Sequence, residues 1–185
     1  MWILVAIPIF FILAIVLIFN SLVVKNNQIK NIFGTLDALL KKRYDLIPNL
    51  VTTVKGYMQH ERSLLEEITQ LRAKALSGPA SGETAITFDT AITGLLGKIL
   101  VSVENYPQLK ANENFLHLQH TLVELEEQIS AARRAYNASV IDYNNAVQMF
   151  PSNIIASLFG YKTKPLFEAR GHERANVQVG RMIDL

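Results

Sequence analysis

The first twenty-four residues, Met1 to Val24, carry no charge, and every Asp, Glu, Lys and Arg of the chain lies beyond them. As a helix such a run reaches about 36 Å, against a hydrocarbon core about 30 Å thick. Lipid offers the backbone no hydrogen bonds, so the stable form of a lone apolar run there is a helix that satisfies its own N–H and C=O groups. Pro8 falls near the start, where a missing N–H is tolerated. A cleaved signal peptide calls for a basic leader and a small-x-small site, and the chain opens Met-Trp-Ile with neither. A lipoprotein calls for a cysteine at the end of the run, and the chain has none. Residues 1–24 are therefore expected to be an uncleaved single-pass transmembrane anchor, with the lipid bilayer as its first partner. Lys25, Lys30, Lys41, Lys42 and Arg43 follow within about 20 residues, and no Lys or Arg precedes the run. The positive-inside rule then puts the N-terminus outside and the body in the cytoplasm.

Beyond the anchor the spacing is helical. Ile32, Leu36, Leu39, Leu46, Leu50, Val54, Tyr57, Leu64, Ile68, Leu71 and Ala75 recur at mostly three and four, close to a heptad. Pro48 sits inside this stripe and removes the bond to the Tyr44 carbonyl, which predicts a kink or break near Tyr44–Pro48. Residues 77–82, Ser-Gly-Pro-Ala-Ser-Gly, read as a loop. A second helix is expected from about Thr84 to Glu104, with Ala85, Phe88, Ile92, Leu95, Ile99 and Val103 on one face. The third runs from Asn112, a plausible N-cap, to Phe150, where Pro151 stops it; that is about 58 Å of helix. One stutter, at Tyr136–Val140, would locally relax a supercoil. No period-2 segment is long enough to argue for a sheet. The expected fold is all-α: an N-terminal transmembrane helix followed by an antiparallel bundle of three to four long helices. Residues 1–24 form the anchor, 25–167 the bundle and 168–185 an irregular tail.

Composition removes several classes of function. Zero cysteines exclude disulfide scaffolds, thiol catalysis and Cys-bound zinc. A net charge of +2 on 185 residues is too balanced for a dedicated nucleic-acid binder.

Several stretches together resemble one family. From Arg43 to Val51 the chain reads Arg-Tyr-Asp-Leu-Ile-Pro-Asn-Leu-Val, then Val-Lys-Gly-Tyr from Val54 to Tyr57, with His60 and Glu61 just after. Downstream come Glu-Asn-Tyr-Pro-Gln-Leu-Lys-Ala-Asn from Glu104 to Asn112 and Phe-Leu-His-Leu-Gln from Phe115 to Gln119. Arg133, Tyr136-Asn137, Tyr143-Asn144 and Phe-Pro-Ser-Asn-Ile-Ile-Ala from Phe150 to Ala156 complete the pattern. These motifs are similar to those of the LemA family, over roughly Phe19 to Phe167. Departures are Phe19 before Asn20 where the family tends to have Tyr, Phe33 where Trp is usual, and Glu127 where Asn is common. The resemblance implies a bacterial membrane-anchored helical bundle with no assigned chemistry. It also implies lipid-anchored relatives that face outward, whereas the charges of this chain point to the cytoplasmic side of the cell (inner) membrane.

Four groups of residues are candidates for a role. Around Asp45, Pro48 and Asn49 the freed Tyr44 carbonyl offers an acceptor to Asn49, Arg43 or a partner; a kink that wraps a long helix is the plainer reading. Arg43 and Glu61 are charges on the apolar stripe, about 27 Å apart along a helix, so each needs a partner from elsewhere, such as Glu126 or Arg133. Such pairs act as register pins. Tyr136-Asn137 and Tyr143-Asn144 repeat at seven, with Phe150 continuing the column: core aromatics with interhelical amides, or a ladder for self-association. Glu113, His117, His120 and Glu124 share one helix face and are the metal-like constellation, but an outward face rarely converges on an ion, and solvated Glu–His pairs are the default. Residues from His60 and from His172 begin like a zincin helix but lack the second His, and Gly94-Leu-Leu-Gly97 follows no strand. No catalytic residue and no cofactor follows from this.

The expected function is non-enzymatic: a homo-oligomer whose bundle works by contact at the membrane. An adaptor for a membrane protein such as a protease or an envelope-stress system, and a metal-binding sensor or enzyme, are the alternatives.

Overall fold

An apolar helix that crosses a bilayer has no reason to stop at its surface if the residues beyond it keep a helical stripe. The computed structural model describes residues 2–78 and 82–167, and in it α1 runs from Trp2 to Lys55 as one 54-residue helix. That is a rod about 81 Å long. Its two halves differ in what surrounds them. Ile7, Phe10, Leu13 and Leu17 are exposed, and this portion is long and apolar enough to cross a membrane. From Leu22 onward one face is buried, through Ile29, Leu36, Leu40, Ile47, Leu50 and Val54. The anchor and the central core helix are one element.

The expected break at Pro48 does not occur. Pro48 cannot donate to Tyr44, and Arg72 Nε donates to that carbonyl instead, at 2.7 Å. The helix ends seven residues later, beyond Lys55, where the Tyr57 and Met58 amides both close back on the Val54 carbonyl. Replacing Arg72 by alanine is expected to cost about 1–3 kcal/mol, because a partly buried carbonyl loses its only replacement donor. In a Pro48→Ala background the restored N–H supplies that bond, so the same replacement should cost less than about 1 kcal/mol. A double-mutant cycle by thermal unfolding checks this, and equal costs in both backgrounds would refute it.

α2 (Arg62–Ser77) returns along α1, α3 (Gly82–Val103) rises again, and a single turn, α4 (Pro107–Lys110), caps the distal end. α5 (Glu113–Gln148) then descends, started by Asn112, whose side chain accepts from the Phe115 N–H at 3.1 Å. Core side chains of α1, Ile68 of α2, Ile92 and Ile99 of α3, and Phe115, Ile129 and Val140 of α5 form one hydrophobic cluster. The result is an up-down-up-down bundle. α3 is also apolar enough to cross a membrane, but it is spent as a core helix of this bundle.

Two elements below the head escape a periodicity reading. α6 (Ser152–Leu158) is a short helix after Pro151 that packs Ile155 and Ala156 on Leu22 of α1. It closes with Gly160 at φ +72°, with Tyr161 N–H on the Ala156 carbonyl and Gly160 N–H on the Ser157 carbonyl. That double closure needs a left-handed residue, and glycine takes it without strain. Residues 161–167 then run extended, as a strap, back up α5. The Asn144 side chain donates to the Lys164 carbonyl and accepts from its N–H, at 2.9 and 2.8 Å. Asn137 does the same for Phe167, at 2.9 and 2.8 Å. Tyr143 adds its hydroxyl to the Lys162 carbonyl at 3.0 Å. Pro165 fits because the strap's gripped N–H groups belong to Lys164 and Phe167, and a proline biases its predecessor toward extended backbone.

Candidate functional site

Charge has no place on an apolar stripe unless another helix brings the opposite charge to it. Arg43 sits on the buried face of α1, one turn from Leu40 and Ile47, and is 1 % exposed. Asp89 of α3, fully buried, meets it through Oδ1, and the other carboxylate oxygen meets Arg133 Nη2 of α5. Arg43 Nη1 also donates to Glu126 Oε2 at 2.8 Å and to Thr93 Oγ1 at 3.1 Å. Two cations and two anions from three helices thus cancel. Arg133 in turn lies over the Phe167 ring, 5.7 Å from its centroid, so the end of the strap closes the cluster. Each oxygen of Asp89 thus lies against a guanidinium group, Oδ1 against Arg43 and Oδ2 against Arg133. Chemically the arrangement is a lock. Buried ion networks of this kind fix register more surely than they add stability.

The remaining candidates are dispersed. Glu61 takes neither Glu126 nor Arg133 as neighbour; it accepts from the Tyr106 hydroxyl at 2.6 Å, on the turn before α4. That bond, with burial second, pushes the Tyr106 phenol up. Asp45 lies 3.6 Å from Arg72, while Pro48 and Asn49 are exposed and their carbonyls accept from Thr52 and Thr53 at 2.8 Å. The Tyr136 ring meets Phe33 at a tilt and Phe167 edge to face, and Tyr143 and the two asparagines hold the strap. The amides of the Tyr-Asn repeat thus face the main chain of the strap in place of another helix. Burial raises the Tyr44, Tyr136 and Tyr143 phenols, in Tyr44 against the lowering pull of Arg43.

Glu113, His117, His120 and Glu124 stand exposed on α5, with His120 Nδ1 3.5 Å from Glu124. Among the described residues no three metal-ligating side chains come together. His172 and the tail 168–185 lie outside the described residues.

Asp89 was not singled out from the sequence, yet a signal existed. It is the one charged residue between Glu83 and Lys98, one turn from Ala85 and Ile92 on the apolar face. In the distal part of the bundle a groove lies between α3 and α5. Thr93, Leu96, Gly97 and Leu100 line one wall, Leu122 and Val123 the other, and Arg43 and Glu126 the floor. Val101, Leu116 and Val123 are exposed on the same two helices.

Comparison with known proteins places this architecture. The LemA family model matches residues 32–180, which includes every member of the charge cluster and both strap asparagines. Protein LemA of Metamycoplasma hominis is 25 % identical, over 88 % of this chain and 74 % of that one. Magnetosome protein MamQ 1 of Paramagnetospirillum magneticum is 22 % identical over 86 % of this chain and 68 % of its own. Magnetosome protein MamQ of Magnetospirillum gryphiswaldense is 21 % identical with the same coverage. The match begins at Ile32 and continues past Phe167, so the family pattern takes in part of the tail and leaves the anchor outside. With its apolar leading helix and its all-helical bundle, the chain is a membrane-anchored member of the LemA family.

Proposed function

We propose that this protein is a non-enzymatic scaffold of the bacterial cell membrane, with its bundle in the cytoplasm, and that it works by associating with copies of itself. The observation that carries this reading is the groove between α3 and α5. It is a mostly apolar hollow walled by Leu96, Leu100, Leu122 and Val123, the kind of surface on which the apolar face of a helix can dock. A floor of paired charges gives such a groove register as well as grease. Anchoring raises the odds of such contact, because one bilayer confines every copy to the same layer and orientation. Lys25, Lys30, Lys41 and Lys42 stand on the body side of the anchor, which supports the cytoplasmic placement.

Because the chain has no native cysteine, a single engineered one reports cleanly. Val123→Cys in full-length protein in membranes is expected to form a disulfide between copies, while Gln59→Cys, outside the groove, does not. Val123→Glu should weaken association by about tenfold or more, since a charge must be buried against leucines. A clean monomer at micromolar concentration would refute self-association. Capture of a membrane protease by the Val123 position in its place would make the chain an adaptor. Reaction of Gln59→Cys with an impermeant reagent in intact cells would overturn the cytoplasmic placement.

A further inference from the structure

The surface around α6 has a feature that folding of the bundle does not use. At about 100° per residue, the seven positions of Ser152–Leu158 divide into three arcs. Ile155 and Ala156 face α1, Asn153 and Ser157 share a polar arc, and Ile154 and Leu158 share the arc between. This last arc is apolar and uncovered among the described residues: Leu158 is 75 % exposed and Phe150, just before the helix, 79 %. Met149 and Phe159 extend the same exposed patch. From Tyr143 to Tyr161 the chain contains no charged residue, and Lys162 and Lys164 follow at once.

The position of the patch says what covers it. α6 packs on Ile18, Phe19 and Leu22, with the Phe19 and Phe159 ring centroids 4.7 Å apart. Those α1 residues are the last turns of the uncharged run, whose ~36 Å slightly exceeds a ~30 Å hydrocarbon core. The exposed side chains of α6 are therefore continuous with the lipid-facing side chains of α1, at the depth where acyl chains give way to headgroups. Lys25 and Lys30 of α1 and Lys162 and Lys164 of the strap form a basic collar just above. Burial first and the Lys30 charge second lower the Lys164 pKa, which places these two ammonium groups near each other.

We infer that the corner from Met149 to Phe159 is a second membrane element, which lies in the interface of the bilayer that α1 crosses and seats the bundle directly on anionic lipid. An interfacial helix buries its apolar face about 5–10 Å deep and keeps its polar face toward water, and basic residues beside it favour anionic headgroups. The inference is independent of whether copies associate through the groove.

The test uses full-length protein in vesicles of phosphatidylcholine and phosphatidylglycerol. Leu158→Cys, labelled with an environment-sensitive fluorophore, is read against lipids brominated at defined acyl positions. His117→Cys, on the distal part of α5, is the aqueous control. Leu158 is expected to emit to the blue of the control and to be quenched about threefold or more strongly, best by bromines near the glycerol end of the chain. Emission and quenching equal to the His117 control would overturn the inference. So would a Leu158 label shielded from water by cross-linking to a second copy and unquenched by any brominated lipid.

Discussion

Asp89→Ala should lower the stability of the folded protein by about 3–5 kcal/mol, the largest loss expected from any single replacement described above. Asp89 is fully buried and reaches both Arg43 and Arg133. Without it, Arg43 keeps Glu126 and Thr93, while Arg133 loses the buried carboxylate it meets and keeps the Phe167 ring face, and the net charge of the site rises from zero to one. A lone cation in low dielectric has no inexpensive refuge. For a chain of this size the loss corresponds to a melting temperature lower by roughly 6–20 °C, read by circular dichroism of the full-length protein in micelles. Removing Asp89 together with both arginines tells lock from strut. Asp89→Leu combined with Arg43→Met and Arg133→Leu should regain most of the loss, since well-packed apolar groups often match a buried ion network. Such a variant is then expected to hold its helices in a less singular register, seen as broadened resonances of the core methyl groups. A triple variant no more stable than Asp89→Ala would show that the network contributes stability outright.

The second large effect concerns the strap. Each of Asn137 and Asn144 makes two bonds to main-chain groups that have no other partner in the strap, so each replacement by alanine should cost about 1–3 kcal/mol. The loss is local, because residues 161–167 can lift off α5 while the four long helices stay packed. Hydrogen exchange is therefore the measurement to make. The Lys164 and Phe167 amides should lose protection by about tenfold to a hundredfold in either single variant, while amides in the middle of α1 change little. Unchanged protection at both positions would mean that Tyr143 and the Phe167 ring hold the strap without the amides. If the strap also steadies the charge cluster through Phe167 and Arg133, Asn137→Ala should weaken it further than Asn144→Ala does.

The all-helical architecture was legible because it rests on local periodicity. An uncharged run of bilayer length, apolar side chains at three and four, and an Asn at one end with a Pro at the other leave few alternatives. What was not legible was decided by side chains far away in sequence. Pro48 predicts a kink or break if only its own helix is counted, and Arg72, which donates to the carbonyl that Pro48 frees, is twenty-eight residues beyond Tyr44. Tyr136-Asn137 and Tyr143-Asn144 look like a ladder for another helix because seven-residue spacing presents one strip. Their partner is extended, too short to show a period of its own. Asp89 was passed over for a similar reason: the helix containing it was read for its apolar face, and a single acid inside that face looks like noise until Arg43 and Arg133 arrive.

The spacing of the two strap asparagines has a consequence for how this part of the chain can vary. Seven helical residues advance about 10.5 Å, and the three extended residues from Lys164 to Phe167 about 10 Å, so the two scales coincide like the marks of a vernier. The amides touch only N–H and C=O groups, which every residue but proline offers alike. Apart from Phe167, whose ring packs on Tyr136 and Arg133, lettering along this stretch is thus nearly free, whereas its length is not: one residue gained or lost between the two marks would carry the second out of step by some 3.3 Å. A chain drifting under mutation would tolerate many spellings here and almost no change of count.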